Sequence, residues 1–183
     1  MLKSNGERLW ASLMAMAEIG ATARGGSCRL ALTEQDKAGR DLFSHWCREA
    51  GLTLTVDAIG NLFARRAGID PTAAPVMMGS HLDTQPEGGR FDGVYGVLAG
   101  LEVLRRLDDL GIRTRKPLEV PVWTNEEGAR FPPAMFGSAV FTGALTLQAA
   151  LAIRDHARCT VAEASRPTCY AGVRQSAVCG KCC

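Results

Sequence analysis

The chain has 183 residues, of which 46% are hydrophobic and 22% charged, a composition typical of about one folded globular domain and not of a disordered chain. Its formal net charge is only +2, which gives no support for a nucleic-acid-binding surface. No run of about 18 apolar residues occurs, so no membrane-spanning helix is predicted.

The first 23 residues, MLKSNGERLWASLMAMAEIGATA, predict an amphipathic helix. The apolar run Trp10–Ala17 is short and is flanked by Glu7 and Glu18, which argues against a signal peptide. A second helix is predicted over Thr33–Gly51, beginning with a capping box and ending at glycine. Apolar residues that recur every four positions predict its buried face: Ala38, Leu42 and Trp46.

Strand patterns follow this helix. The β-branched alternation of Leu52–Gly68, interrupted at Gly60-Asn61, predicts a hairpin or two short strands. Pro75–Asp83 and Leu118–Glu127 each read as an apolar strand that ends in polar residues.

Between these two strands, Gly93–Gly111 predicts an amphipathic helix. Its predicted inward residues are Val94, Val97, Leu98, Leu101 and Leu104, and its predicted outward residues are Glu102, Arg105, Arg106 and Asp109. Thr146–Asp155 starts a further helix, and after Asp155 no sustained period is present. The order of elements predicts an α/β fold with a mixed sheet flanked by helices. Ligand sites of open α/β sheets lie past the carboxyl ends of the strands.

The first polar cluster follows the strand Pro75–Asp83. His81 and Asp83 are two residues apart and share one face of an extended segment, so Asp83 is expected to fix the imidazole tautomer. Asp92 comes after a flexible glycine-containing loop, which lets the backbone fold back and bring this carboxylate to His81. Its two oxygens allow it to bridge two cations.

The second cluster is Glu126-Glu127, after the next apolar strand. Two adjacent carboxylates repel each other in a dry site unless a cation binds one of them. The other carboxylate is then free to act as a general base toward water. Each of these patterns taken alone has a simpler explanation. A His-x-Asp pair commonly forms a surface hydrogen bond, a Glu-Glu pair commonly lies at a solvated edge, and Gly88-Gly89 is typical of a plain turn. Their joint placement after two strands favours a metal site.

At these residues the sequence resembles a known family. GSHLDTQPEGGRFDGVYGVLAGLEVL and VWTNEEGARFPPAMFGSAVFTG are similar to the hydantoinase/carbamoylase family of amidohydrolases, which includes N-carbamoyl-L-amino acid hydrolase, beta-ureidopropionase and allantoate amidohydrolase. The resemblance runs from about Leu9 to about Ala164. It implies the N-terminal part of a dinuclear-metallopeptidase catalytic domain, of the kind found in aminoacylases and carboxypeptidases.

The resemblance also implies roles for the clustered residues. His81 would bind one divalent metal and Glu127 the other, Asp92 would bridge them, Glu126 would be the general base and Asp83 would orient His81. Zinc is the default metal, with manganese, cobalt or nickel as alternatives. The implied reaction hydrolyses an N-carbamoyl amino acid or related ureido substrate, and the QPEGG loop favours a carbamoylase over an allantoate enzyme.

The chain departs from the family in length, since members are more than twice as long. The resemblance places two further metal-binding histidines, a substrate-binding arginine and the dimerising domain of these homodimers downstream, so a C-terminally truncated member is expected. His45 and His156 match no family ligand position. Two protein ligands per ion predict weak metal binding and little or no activity. The alternative is a non-catalytic remnant, or a partner subunit that pairs with a full-length relative.

The predicted division is a partial catalytic domain over residues 1–158 and an irregular, cysteine-rich tail over 159–183. A shifted reading frame after Ala164 would produce such a tail. The rival interpretation is a zinc-binding tail, because Cys179 and Cys182 have ligand-like spacing next to Cys169 and Cys183. Cys28 and Cys47 are typical of thiols in a cytoplasmic protein, which is the predicted location.

Overall fold

The computed structural model describes residues 3–168, with side chains to Arg166. Over this part the chain forms helices and strands in the order α1 Gly6–Glu18, α2 Glu34–Glu49, β1 Thr53–Val56, β2 Leu62–Arg66, β3 Val76–Met77, β4 Ser80–His81, α3 Val94–Asp109, β5 Leu118–Trp123, α4 Phe136–Thr142, α5 Leu147–Ala152 and α6 Val161–Thr168. None of the helices over residues 3–168 combines the length and apolarity needed to cross a lipid bilayer.

The strands form one mixed sheet, in the order β1-β2-β5-β3, with β4 also paired to β5. The β1–β2 and β2–β5 pairs are antiparallel, whereas β3 and β4 run parallel to β5. The predicted α/β fold with a mixed sheet flanked by helices is therefore confirmed, and Leu52–Gly68 forms the predicted hairpin.

The strand predicted over Pro75–Asp83 is divided into β3 and β4. Opposite the break lies Pro121 of β5, which has no N–H to donate to the ladder. Gly79 packs against Pro121 so closely that an added Cβ would overlap the Pro121 carbonyl oxygen. Between β3 and β4 the proline interrupts the hydrogen bonds of the ladder. The chain continues in the same direction past this break, and His81 lies at the end of β4.

Two apolar clusters hold the layers together. The larger joins α1, α2 and α3 to the sheet through fully buried residues such as Met16, Phe43, Leu101 and Val120. The five predicted inward residues of α3 are all buried, which confirms that face. The smaller cluster joins α4, α5 and α6 to nearby loops, and its members include Phe131, Phe136 and Val161.

Two predicted helix faces need correction. On α2 the most deeply buried residues, Phe43 and Cys47, each lie one position after the predicted Leu42 and Trp46, which are half-buried and pack against the core. Ala38, which was predicted to be buried, is exposed. On α3, Glu102 is buried, not outward, because its carboxylate accepts hydrogen bonds from Arg8 Nε at 2.7 Å and from the Asn5 N–H at 2.9 Å. A charged residue can be buried when a partner of opposite charge is supplied from another helix.

Irregular structure was predicted from residue 159 onward, and this is wrong for Val161–Thr168, which form α6. Thr160 caps this helix: its hydroxyl accepts from the Glu163 N–H at 3.1 Å, and Glu163 Oε2 accepts from the Thr160 N–H at 2.7 Å. This reciprocal pair is a capping box, and the Thr-x-x-Glu spacing was present in the sequence. The proposed zinc ligands Cys169, Cys179, Cys182 and Cys183 lie outside the described residues, as does most of the proposed frame-shifted segment.

Candidate metal centre

The two polar clusters meet at one edge of the sheet because β4 and β5 are parallel neighbours. His81 is paired with Trp123 in this ladder, so the residues that follow each strand emerge side by side. The strand β4 leads directly into Leu82 and Asp83, and β5 leads into the segment that ends in Glu126 and Glu127. Parallel pairing therefore brings together side chains that are more than 40 residues apart in the sequence.

Three of the predicted ligands form a compact group. His81, Asp92 and Glu127 each offer one ligand atom, and these atoms all lie within 4.8 Å of one another. His81 is buried, Glu127 is half-buried and Asp92 is exposed, so the group opens to solvent on the Asp92 side. One imidazole nitrogen and two carboxylates match the donor set of divalent zinc and related ions. The residues present therefore fit a divalent cation.

The backbone fixes the tautomer of His81. Its Nδ1 lies 2.9 Å from the main-chain carbonyl oxygen of Asp83, and because a carbonyl oxygen only accepts, Nδ1 must carry the proton. In the neutral imidazole this leaves the lone pair on Nε2. That nitrogen lies 3.2 Å from Glu126 Oε2 and 4.0 Å from Asp92 Oδ1. The nitrogen available to a metal thus points toward the carboxylates.

Asp83 acts through more than its carbonyl group. Its buried carboxylate accepts the backbone N–H of Glu126 on Oδ1 and that of Glu127 on Oδ2, both at 3.2 Å, and Oδ1 lies 3.7 Å from His81 Nδ1. The sequence analysis expected the carboxylate to fix the imidazole; the carbonyl oxygen makes the shorter contact, while the carboxylate holds the Glu126-Glu127 backbone. Burial and, to a lesser extent, the nearby Asp36 carboxylate together raise the pKa of the Asp83 carboxyl to about 6.

Asp92 is presented by the turn that starts α3. The Val94 N–H bonds to the Asp92 carbonyl oxygen at 2.6 Å, and Gly93 adopts φ +66°. An added Cβ at Gly93 would lie 2.4 Å from Cε1 of His81 and 2.5 Å from both ring nitrogens. Position 93 thus requires glycine for two reasons: the positive φ and the close approach of the backbone to the imidazole.

The loop that carries Glu126 and Glu127 is closed by its neighbours. Asn125 has φ +50°, a conformation that asparagine tolerates better than most residues, and its Nδ2 donates to the Phe131 carbonyl oxygen at 2.8 Å. The Met135 N–H donates to the Glu126 carbonyl oxygen at 2.7 Å. These hydrogen bonds fix the backbone of the loop after β5, and with it the positions of the Glu126 and Glu127 side chains.

Sequence reasoning missed several buried polar residues that support the site. Asn61 Oδ1 accepts the Thr124 N–H at 2.9 Å, and its Nδ2 donates to the Asp57 carboxylate at 2.8 Å. The fully buried Arg29 donates from Nε to the carbonyl oxygen of Leu82, between His81 and Asp83, at 3.0 Å. Gly60-Asn61 was interpreted only as an interruption of the strand pattern, and nothing local in the sequence marks Arg29 as buried.

The two other histidines lie outside this group. His45 is exposed on α2 and pairs with Glu49, which lies one turn further along the helix. His156 is exposed in the turn before α6. Neither is a member of the three-residue group of ligands found among residues 3–168.

Replacing Asp83 with alanine is expected to weaken zinc binding about 10- to 100-fold, the usual effect of losing a group that orients metal ligands. The N–H groups of Glu126 and Glu127 lose their acceptor, so both side chains become less well positioned. Competition with a chromophoric chelator measures the affinity. Asp70→Ala is the matched control, because Asp70 also accepts two backbone N–H groups, those of Thr72 and Ala73. An equal loss in both variants would contradict the assignment.

Comparison with known proteins identifies the family. Residues 77–173 match the family model of peptidase family M20/M25/M40, and the match continues past Ala164, where the sequence analysis placed the end of the resemblance. The chain is 58% identical over 151 residues to an N-carbamoyl-L-amino-acid amidohydrolase of Rhizobium meliloti. It is 45% identical over 161 residues to an N-carbamoyl-L-amino acid amidohydrolase of Geobacillus stearothermophilus.

A solved structure shows the same fold. The crystal structure of a hydantoinase/carbamoylase family amidase from Burkholderia ambifaria superposes with a TM-score of 0.94 at 66% identity, covering 94% of this chain and 42% of that one. The alignments cover 82% and 88% of this chain but only 36% and 39% of the Rhizobium and Geobacillus proteins. The chain thus spans about two fifths of the length of these relatives. By sequence and by fold, it belongs to peptidase family M20/M25/M40 and, within it, to the hydantoinase/carbamoylase amidohydrolases.

Proposed function

We propose that this chain carries part of the catalytic centre of a metal-dependent hydrolase that cleaves the ureido C–N bond of N-carbamoyl-L-amino acids. The observation that carries the proposal is the grouping of His81, Asp92 and Glu127 within 4.8 Å, with Glu126 beside the imidazole. Support for the substrate class comes from the Rhizobium relative, which is named for this reaction and is 58% identical.

In this proposal His81 and Asp92 would hold one divalent cation, and Asp92 and Glu127 would hold a second, with Asp92 as the residue common to both. Zinc is the first candidate, with manganese, cobalt or nickel as alternatives. Cations held there would supply Lewis acidity, which polarises a carbonyl group and acidifies water. His81 is buried, and the hydrogen bond from its Nδ1 to the Asp83 carbonyl oxygen fixes the ring. Its Nε2 is therefore already directed toward the carboxylates.

Glu126 is the proposed general base. Its backbone is fixed by Asp83, and its carboxylate is half-buried next to His81. It accepts a proton from the water that attacks the ureido carbon and returns this proton to the leaving nitrogen. Overall, one water and one N-carbamoyl amino acid give the amino acid, carbon dioxide and ammonia.

Metal binding by the 183-residue chain is expected to be weak. The described residues supply two protein ligands per ion, whereas catalytic zinc sites usually have three protein ligands and a water. Removing loosely held metal and then counting metal per chain measures this directly. Two tightly retained equivalents would contradict the expected weakness, although they would agree with the proposed pair of sites.

A chimeric enzyme tests the proposed reaction. Residues 1–168 replace the matching part of the Rhizobium relative, which supplies the rest of the polypeptide, and ammonia release from an N-carbamoyl-L-amino acid is measured with added divalent metal. We expect the chimera to release ammonia, as the parent enzyme does. A chimera that folds and binds metal but releases none would overturn the proposed function. His45→Ala in the chimera is a matched control that should leave the rate unchanged, since His45 is exposed on α2.

A further inference from the structure

Gln85 contacts the candidate metal centre, although it is neither a proposed metal ligand nor the proposed general base. Its side-chain amide Nε2 donates to Glu127 Oε2 at 2.6 Å. The two residues belong to different loops, one after β4 and the other after β5. Gln85 is exposed and Glu127 is half-buried, so the hydrogen bond lies at the solvent edge of the group.

The backbone on both sides of this contact is already fixed. The Thr84 N–H donates to the carbonyl oxygen of the buried Arg29 at 3.0 Å, and the Thr84 hydroxyl lies 2.8 Å from the Gln85 carbonyl oxygen. The Glu127 N–H is held by the Asp83 carboxylate. What remains free to rotate is the Glu127 side chain itself, and Gln85 is the residue that restrains it.

The chemistry of the donor suits a metal ligand. A carboxylate has two oxygens and about four lone-pair sites, so one amide hydrogen bond leaves sites open for a cation. A lysine or arginine in the same place would bring a positive charge that opposes the cation. A neutral amide restrains the carboxylate without this repulsion.

We propose that Gln85 is a positioning residue that holds the Glu127 carboxylate in the orientation required for binding a divalent cation. This inference rests on the proposed function, because it requires Glu127 to be a metal ligand. Gln85 is therefore expected to affect the affinity for metal and not the stability of the fold.

The test compares Gln85→Met with the wild-type 183-residue chain. Methionine has nearly the same length but no amide donor. We expect the affinity for Zn²⁺, measured by competition with a chromophoric chelator, to fall about tenfold. The thermal midpoint of the metal-free chain should not change, because Gln85 is exposed. Gln148→Met, the same substitution at an exposed residue of α5, should change neither quantity.

The outcomes separate this inference from the proposed function. Equal zinc affinity in Gln85→Met and wild type would overturn the positioning role, while the metal site and the hydrolase would stand. An equal loss in Gln85→Met and Gln148→Met would also overturn it, because the effect would not be specific to the contact. Absence of metal binding by the wild-type chain would overturn the metal site and the inference together. An inactive chimera that still binds metal would count against the hydrolase alone.

Discussion

Glu126→Gln in the chimeric enzyme is expected to lower the rate of ammonia release by about 10²- to 10⁴-fold, the range typical of losing a general base. Glutamine has the same shape as glutamate but cannot accept a proton. The backbone bond from residue 126 to Asp83 does not depend on the side chain, so the local fold should persist. Steady-state kinetics at saturating metal measure the loss.

The adjacent carboxylate supplies the matched comparison. Glu127, and not Glu126, belongs to the group of ligand atoms within 4.8 Å. Glu127→Gln should therefore weaken metal binding, whereas Glu126→Gln should leave the metal affinity within about threefold, since a general base is not a ligand. If Glu126→Gln instead loses metal and its rate is restored by raising the metal concentration, Glu126 is a ligand and the two roles must be exchanged.

Gly93→Ala is expected to lower the free energy of unfolding of the metal-free chain by about 3 kcal/mol, combining the cost of a positive φ for alanine with overpacking. The new methyl group would lie 2.4–2.5 Å from three atoms of the His81 imidazole. Either the ring or the start of α3 must therefore move. Both movements separate His81 from Asp92, so zinc affinity should fall at least about tenfold. Urea unfolding and chelator competition measure the two effects.

The control for this substitution lies in the same loop. An added Cβ at Gly89 meets no atom within 4 Å, and Gly89 is not among the glycines with positive φ. Gly89→Ala should therefore stay within about 1 kcal/mol of wild type and keep its zinc affinity. If Gly93→Ala behaves in the same way, the close packing of Gly93 on His81 is not needed for the site.

Much of the fold could be predicted from local pattern. The helix over Val94–Asp109 was predicted with its buried face, and the hairpin of Leu52–Gly68 was predicted from alternation and a Gly-Asn interruption. The helix over Phe136–Thr142 was not predicted, because seven residues between loops are too few to show a period. Glu102 was predicted to face water, because its partner Arg8 lies on another helix 94 positions earlier.

The residues of the candidate site also fall into those that local sequence pattern could predict and those that it could not. His81, Glu126 and Glu127 were proposed from their residue types and their positions after apolar strands, and Asp92 from its position after a flexible glycine-containing loop. The supporting residues Arg29 and Asn61 were not identified, since their bonds run to Leu82 and Thr124, which are distant in sequence. A hydrogen bond between distant segments leaves no periodic signal along the chain.

The sequence by itself determined the order of the helices and strands other than α4 and α6, the family and the residue types available to a metal. These depend on the alternation of apolar and polar side chains and on short motifs, which are local properties of the chain. Only the tertiary structure decided which nitrogen of His81 faces the carboxylates, that the Asp83 carboxylate supports the Glu126-Glu127 backbone and that Gln85 holds Glu127. The first depends on a contact between His81 and Asp83 at the end of β4. The other two join the loops after β4 and β5, which lie side by side because these strands are parallel neighbours.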